Sequence, residues 1–235
     1  MTKRFDAVLF DAGGIFVIPD PLMTGMVLEP FGGTTNLSTL VRSHYAGVAA
    51  MDVASKEQDA TSIERISWSS YRQAYARQAG VPDAQVVAAA GALLKVFSAF
   101  LWRFPLHESV AGLWRLHLLG TRMGIVSNAS GQIERTLANE NICQVGEGSG
   151  VPVLIITDSH VVGVAKPEPE VFAAAIDAMD VSRERIAYVG DSYVNDVCGA
   201  RNAGLVPLLL DPYGFHEGAD CERITSVHEI IDFVN

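Results

Sequence analysis

Four places in this chain set polar, chemistry-bearing side chains directly after short apolar runs. In Phe10-Asp11-Ala12-Gly13-Gly14 a carboxylate ends such a run, where it costs free energy unless a cation or donors meet it. The two glycines that follow permit tight turning and close approach of a ligand. Val126-Ser127-Asn128 offers a hydroxyl and an amide, both able to hold a phosphoryl oxygen. Ala165-Lys166-Pro167-Glu168-Pro169 puts an ammonium just before a helix start, beside free backbone N–H groups, which is a ready anion site. Gly190-Asp191-Ser192-Tyr193-Val194-Asn195-Asp196 brackets a turn with two carboxylates, suited to a hard cation. Singly, each has a plainer use as a turn, a cap or a solvated lysine. As a set they supply what a combined anion and metal site needs.

That set works only if the elements bring it together. Five apolar runs read as buried parallel strands: Ala7 to Phe10, Met123 to Val126, Val153 to Ile156, Ile186 to Val189 and Val206 to Leu210. Helical patterns lie between the later ones, over Gln132–Asn139, Glu168–Met179, Val194–Ala203 and Ser226–Phe233. Strand alternating with helix gives an α/β fold, a Rossmann-like parallel sheet with helices on both faces. The C-terminal ends of such strands share one edge, where ligands bind. Between Asp20 and Pro105 the rhythm stops. This stretch carries helical patterns near Leu37–Ala50, Ile63–Ala79 and Asp83–Phe100 and no convincing strand. The expected organisation is a core of residues 1–19 and 106–235 with an inserted all-helical domain over 20–105.

The order Asp, Ser, Lys and paired Asp, each at a strand end, resembles the haloacid dehalogenase superfamily, and the inserted helices resemble its mobile cap domain. The resemblance implies a nucleophile at Asp11, a phosphoryl-oxygen ligand at Ser127 with Asn128 beside it, and a charge-neutralising Lys166. It also implies Mg²⁺ held by Asp11, the Gly13 carbonyl and Asp191, with Asp196 orienting Lys166 or a metal-bound water. The implied reaction is hydrolysis of a small phosphate ester through an aspartyl-phosphate. One position departs from that pattern. The family's phosphatases usually carry a second Asp, a general acid and base, where this chain has Gly13. Losing such a group typically forfeits about 10²–10⁴ in rate. Asp20, Asp158 and His160 are the candidate substitutes. Gly13 also suits two other readings: metal-free hydrolysis of a carbon–halogen bond, and a binding module that has lost turnover. Substrate choice would rest with the insertion, where Arg42, His44, Arg65, Trp68, Tyr71 and Arg72 are the polar and aromatic candidates.

Bulk properties narrow the partners. Apolar residues make up 49% of the 235 and charged residues 19%, enough for a substantial core. The formal net charge of −10 argues against nucleic acid, which needs a basic surface. Three widely spaced cysteines suit a reducing, cytoplasmic setting. The start of the chain lacks the apolar stretch of a signal peptide. The run Val86 to Trp102 is interrupted by Lys95 and reads as a buried or dimer-facing helix rather than a membrane span. A monomer or a homodimer is expected.

Overall fold

The computed structural model describes residues 3–56 and 63–234. Its strands are β1 (Ala7–Phe10), β2 (Val17–Pro19), β3 (Trp102–Pro105), β4 (Arg122–Ser127), β5 (Cys143–Val145), β6 (Val151–Val153), β7 (Ile156–Asp158), β8 (Ile186–Gly190), β9 (Val206–Leu210) and β10 (Glu222–Ile224). Its helices are α1 (Pro21–Leu28), α2 (Leu37–Lys56), α3 (Ile63–Gln78), α4 (Asp83–Val96), α5 (His107–Leu118), α6 (Ile133–Asn139), α7 (Ser159–Val162), α8 (Ala173–Met179), α9 (Cys198–Asn202) and α10 (Ile231–Val234).

The chain forms two compact units. The first comprises residues 1–17, 105–212 and 218–235, and the second residues 18–104 and 213–217. The core of the first is a six-stranded sheet in the order β10-β9-β8-β1-β4-β7, parallel at every pairing. Every residue of β1 is buried, as expected for a central parallel strand covered on both sides. Ala7, Leu9, Ile186 and Tyr188 point to one face, where they pack with Phe172, Ala175, Ile176 and Met179 of the α8 region and with Ala200 of α9. From β1 the chain steps to β4 and β7 on one side, then returns to β8 on the other. The order therefore reverses between β1 and β8, and the crevice beyond their C-terminal ends is where such sheets bind ligands.

In the second unit α2, α3 and α4 pack around Tyr71, Tyr75, Ala76, Ala79, Val86, Ala89 and Leu93. Helix α1 was not anticipated from the sequence. It starts at Pro21 and is capped by Asp20, whose carboxylate accepts from the N–H groups of Leu22 and Met23.

Several expectations need correction. The apolar run Val153 to Ile156 is not one strand. The chain leaves β6, which pairs with β5 in a small separate sheet, and joins the main sheet only at β7. Apolar continuity hid the crossing because both strands have buried residues. The stretch without an expected strand contains β3, which pairs with β2 in a two-stranded sheet. The helix expected over Glu168–Met179 opens as a 3₁₀ turn at Pro169–Phe172. That expected over Val194–Ala203 opens as a wide π turn at Tyr193–Val197. The Val86–Trp102 run is helical only to Val96, with Val86, Ala89, Ala90 and Leu93 buried. Among the described residues no helix is long and apolar enough to cross a membrane.

Candidate active site

Strand register explains why the singled-out residues meet. Phe10 lies level with Ile125 of β4 and with Val189 of β8. Asp11 is thus one residue beyond that line, and Ser127 and Asp191 are two beyond it. The Asp11 N–H extends the ladder by donating to the Val189 carbonyl at 2.8 Å. Its Oδ1 accepts the Ala12 N–H at 2.7 Å, which fixes the side chain over the turn.

The glycines around these acids are required by space. Gly14 has φ of +70°, and a Cβ there would sit 1.9 Å from Asp191 Oδ2. A Cβ on Gly190 would sit 2.1 Å from Asp196 Cγ. Backbone and carboxylates therefore approach closely where any side chain would separate them. Gly13 is half-buried and forms a lone bridge with Val17.

Lys166 ties the acids together. Its buried ammonium lies 2.7 Å from Asp196 Oδ1 and 3.0 Å from Asp11 Oδ1. The third donor goes to Tyr188 Oη at 3.0 Å, and that phenol donates in turn to the Val126 carbonyl at 2.8 Å. An ammonium has three donors, so all are engaged. Burial alone would lower the Lys166 pKa, but the charges of Asp11 and Asp196 outweigh it and hold the group protonated. Burial pushes the Asp196 carboxyl up, to about 6, against the pull of Lys166 and with the repulsion of Asp11 adding to the rise. The other Asp196 oxygen accepts the Ser192 N–H at 2.9 Å. Burial, with the nearby Asp196 and Asp11 charges, lifts the Tyr188 phenol well above its ordinary range, so it remains a neutral hydrogen-bonding group.

Asp11, Asp191 and Asp196 each offer an oxygen within 4.8 Å of the others. Three converging carboxylates are hard donors that suit Mg²⁺, which typically takes one or two carboxylates and completes its shell with water and substrate oxygens. Ser127 is buried at the end of β4, and its hydroxyl has no partner among the described residues. Asn128 differs from the sequence expectation. Its Oδ1 accepts the Lys166 backbone N–H at 2.8 Å and its Nδ2 donates to the Lys166 carbonyl at 3.0 Å. The amide clips the loop that carries the lysine.

Of the residues considered as substitutes for an acid at Gly13, Asp158 and Asp20 are engaged elsewhere. Asp158 accepts from the backbone N–H groups of Gly131, Ile133 and His160. Asp20 caps α1 and takes the Arg103 guanidinium at 3.2 Å. His160 is exposed, against Gly131. In the second unit Arg42 lies over the rings of Tyr213 and Phe215, and His44 Nδ1 lies 2.9 Å from Tyr71 Oη. Trp68 packs edge-on against Tyr71 and Trp102. The side chain of Arg65 lies outside the described residues. Tyr188 was missed from sequence. The signal was a phenol inside an otherwise apolar strand, since a buried tyrosine hydroxyl needs a partner.

A family model of haloacid dehalogenase-like hydrolases matches residues 5–204. A phosphoserine phosphatase of Thermus thermophilus is 30% identical over 60% of this chain and 53% of its own length. The chain thus spans about half the length of this relative. Among solved structures, a HAD hydrolase of Bacillus subtilis bound to magnesium superposes with a TM-score of 0.60 at 17% identity, covering 99% of this chain and 100% of its own. A 2-haloacid dehalogenase of Pseudomonas syringae superposes with a TM-score of 0.53 at 17% identity, covering 97% of both chains. These two likenesses concern the fold.

Proposed function

Because the chain belongs to the haloacid dehalogenase-like hydrolases, we propose that it is a Mg²⁺-dependent phosphatase of small phosphorylated metabolites, with Asp11 as nucleophile. One observation carries the reading. A buried ammonium, Lys166, pairs with Asp11 and Asp196, two of three carboxylates whose oxygens lie within 4.8 Å of one another. That charge arrangement calls for a cation, which metal-free carbon–halogen hydrolysis does not require. The phosphatase relatives support the same reading, as does the free thiol state of Cys143, Cys198 and Cys221 for a cytoplasmic setting.

Asp11, Asp191 and the Gly13 carbonyl would hold the ion, with Asp196 beside it. When bound, Mg²⁺ neutralises phosphoryl oxygens that otherwise repel Asp11. The Asp11 carboxylate oxygen attacks phosphorus in line, and the P–O bond to the leaving alcohol breaks with its electron pair. Lys166 faces the charge that builds on the transferring oxygens. It can donate to them only by loosening one of its three present bonds. The Ser127 hydroxyl donates to a phosphoryl oxygen. Water then attacks phosphorus of the aspartyl-phosphate, releasing inorganic phosphate and regenerating Asp11. Gly13 can neither protonate the leaving oxygen nor activate that water, so good leaving groups are favoured.

The test is hydrolysis of an activated aryl phosphate with and without Mg²⁺, in the wild type and in a folded Asp11→Asn variant. Magnesium-dependent release that vanishes in the variant is expected. Equal inertness of both would sink the phosphatase reading. The absent acid at Gly13 also fits carbon–halogen hydrolysis, and release of halide from a haloacid under chelation would favour that second reading.

A further inference from the structure

Lys166 can follow the charge on a transferring phosphoryl group only if something holds its ammonium while one of its bonds opens. Asp11 is the partner whose hold weakens, because its charge passes to the phosphoryl oxygens as the aspartyl-phosphate forms. Asp196 and Tyr188 then remain. Asp196 alone is a poor guide, since a point charge on a flexible stem swings about a single partner.

The Tyr188 hydroxyl is built to be the second hold. Tyr188 is fully buried, and its ring stands edge-on to Phe172 with centroids 5.0 Å apart. Its one proton is committed to the Val126 carbonyl at 2.8 Å, with Asp196 Oδ1 farther away at 3.4 Å. The phenol oxygen must therefore accept from Lys166, which gives that 3.0 Å bond a fixed direction. Register explains the arrangement. Phe10 is the last β1 residue paired with β4 and lies opposite Ile125, so Val126 falls beyond that ladder. Tyr188 comes from β8, and β1 runs between β8 and β4. The phenol thus joins the strands that lead to Ser127 and Asp191 across the strand that leads to Asp11. A neutral oxygen also leaves the charge of the site unchanged, whereas a third acid would hold the ammonium back from substrate.

We propose that Tyr188 is a positioning residue for Lys166, the fixed point about which the ammonium turns from Asp11 to a phosphoryl oxygen. This role rests on the phosphatase reading, and Tyr188 lies outside the four strand-end motifs that support that reading. Without the hydroxyl, Lys166 remains charged and buried but is drawn only to its acids. Substrate is then bound as before, and the transition state less well.

The experiment uses the full chain with Mg²⁺ and an activated aryl phosphate, comparing wild type, Tyr188→Phe and Phe172→Leu. Tyr188→Phe removes the hydroxyl alone. Phe172→Leu loosens the packing against the ring and leaves the hydroxyl in place. The expected result is that Tyr188→Phe lowers kcat about tenfold or more with KM unchanged, whereas Phe172→Leu lowers the unfolding temperature and keeps kcat. Calorimetry with Mg²⁺ gives a readout without turnover. Orthovanadate takes a five-coordinate form like the transferring phosphoryl group, so its binding should weaken about tenfold or more in Tyr188→Phe while that of inorganic phosphate stays the same. An active wild type whose kcat and orthovanadate affinity are unchanged by Tyr188→Phe overturns the role alone, as does an equal loss of kcat in Phe172→Leu. A wild type inert in both assays overturns the phosphatase reading and the role with it. If Tyr188→Phe does not fold, a ring-fluorinated tyrosine in place of Tyr188 decides. Fluorine weakens the phenol oxygen as an acceptor with little change in volume, so a lowered kcat supports the role and an unchanged one overturns it.

Discussion

Two adjacent glycines, Gly13 and Gly14, do different things. Gly14 is a steric requirement: its φ of +70° and the 1.9 Å that would separate a Cβ from Asp191 Oδ2 exclude any side chain. Gly14→Ala therefore costs stability by about 1–2 kcal/mol for the left-handed backbone alone. It also pushes Asp191 from the other acids, so calorimetry should show weakened Mg²⁺ binding, and unchanged affinity would mean that Asp191 is not a ligand. Gly13 instead has no side chain for acid–base work, and the resemblance in motif order puts it where the family's phosphatases usually carry an acid. If the phosphatase reading holds, Gly13→Asp raises turnover of alkyl phosphates, up to about 10²-fold, and flattens the dependence on leaving-group pKa. No gain in a folded variant that binds metal would point to an acid already in place.

At the level of elements, Asp158 joins pieces that strand pairing leaves separate. From the end of β7 its carboxylate holds the N–H groups of Gly131 and Ile133, at the start of α6, and of His160 in α7. Asp158→Ala leaves three backbone donors without this partner and should lower stability by about 1–3 kcal/mol in urea unfolding. Unchanged stability with collapsed turnover would instead make Asp158 the replacement acid. The elements also show what could be read from sequence. Four of the five expected strands stand where the apolar runs put them, because a buried parallel strand needs nothing but continuous apolar residues. The polar residues at their ends were legible for the same reason: a charge after such a run needs a partner. What failed was continuity across a sheet change, as at Val153 to Ile156, and the type of helical turn after Glu168 and Ser192. Hydrogen-bond register decides those features, and side-chain periodicity does not record it. The contact of Asn128 with the Lys166 backbone was likewise invisible, since it joins two loops that only the folded sheet brings together.

At the scale of the molecule, the entry into β1 and the approach to β8 are joined by a bidentate pair. Arg185 donates to the two Asp6 oxygens at 2.7 and 3.0 Å. Those hydrogen bonds are the main reason that the Asp6 carboxyl titrates below its usual range. A lowered carboxyl contributes stability above its unfolded value of about 3.9, and the contribution is lost as pH falls through the depressed folded value. Acid unfolding followed by circular dichroism should therefore begin at higher pH in Arg185→Met, while Asp6→Asn should show a flatter limb below pH of about 4. Coincident acid limbs in wild type and Asp6→Asn would remove the pair from the account. The sheet order has a consequence for how the protein is made. The strand that presents Asp11 is synthesised before both of its neighbours, β4 and β8, so Ala7 must wait for Arg122 and Ile186. Helices α2, α3 and α4 close on near neighbours in sequence and can form during that wait, whereas pairings of such long range are slow. The cluster of Asp11, Asp191 and Asp196 then assembles late, once Asp191 and Asp196 emerge, and until β4 and β8 arrive the apolar β1 lacks both sheet partners.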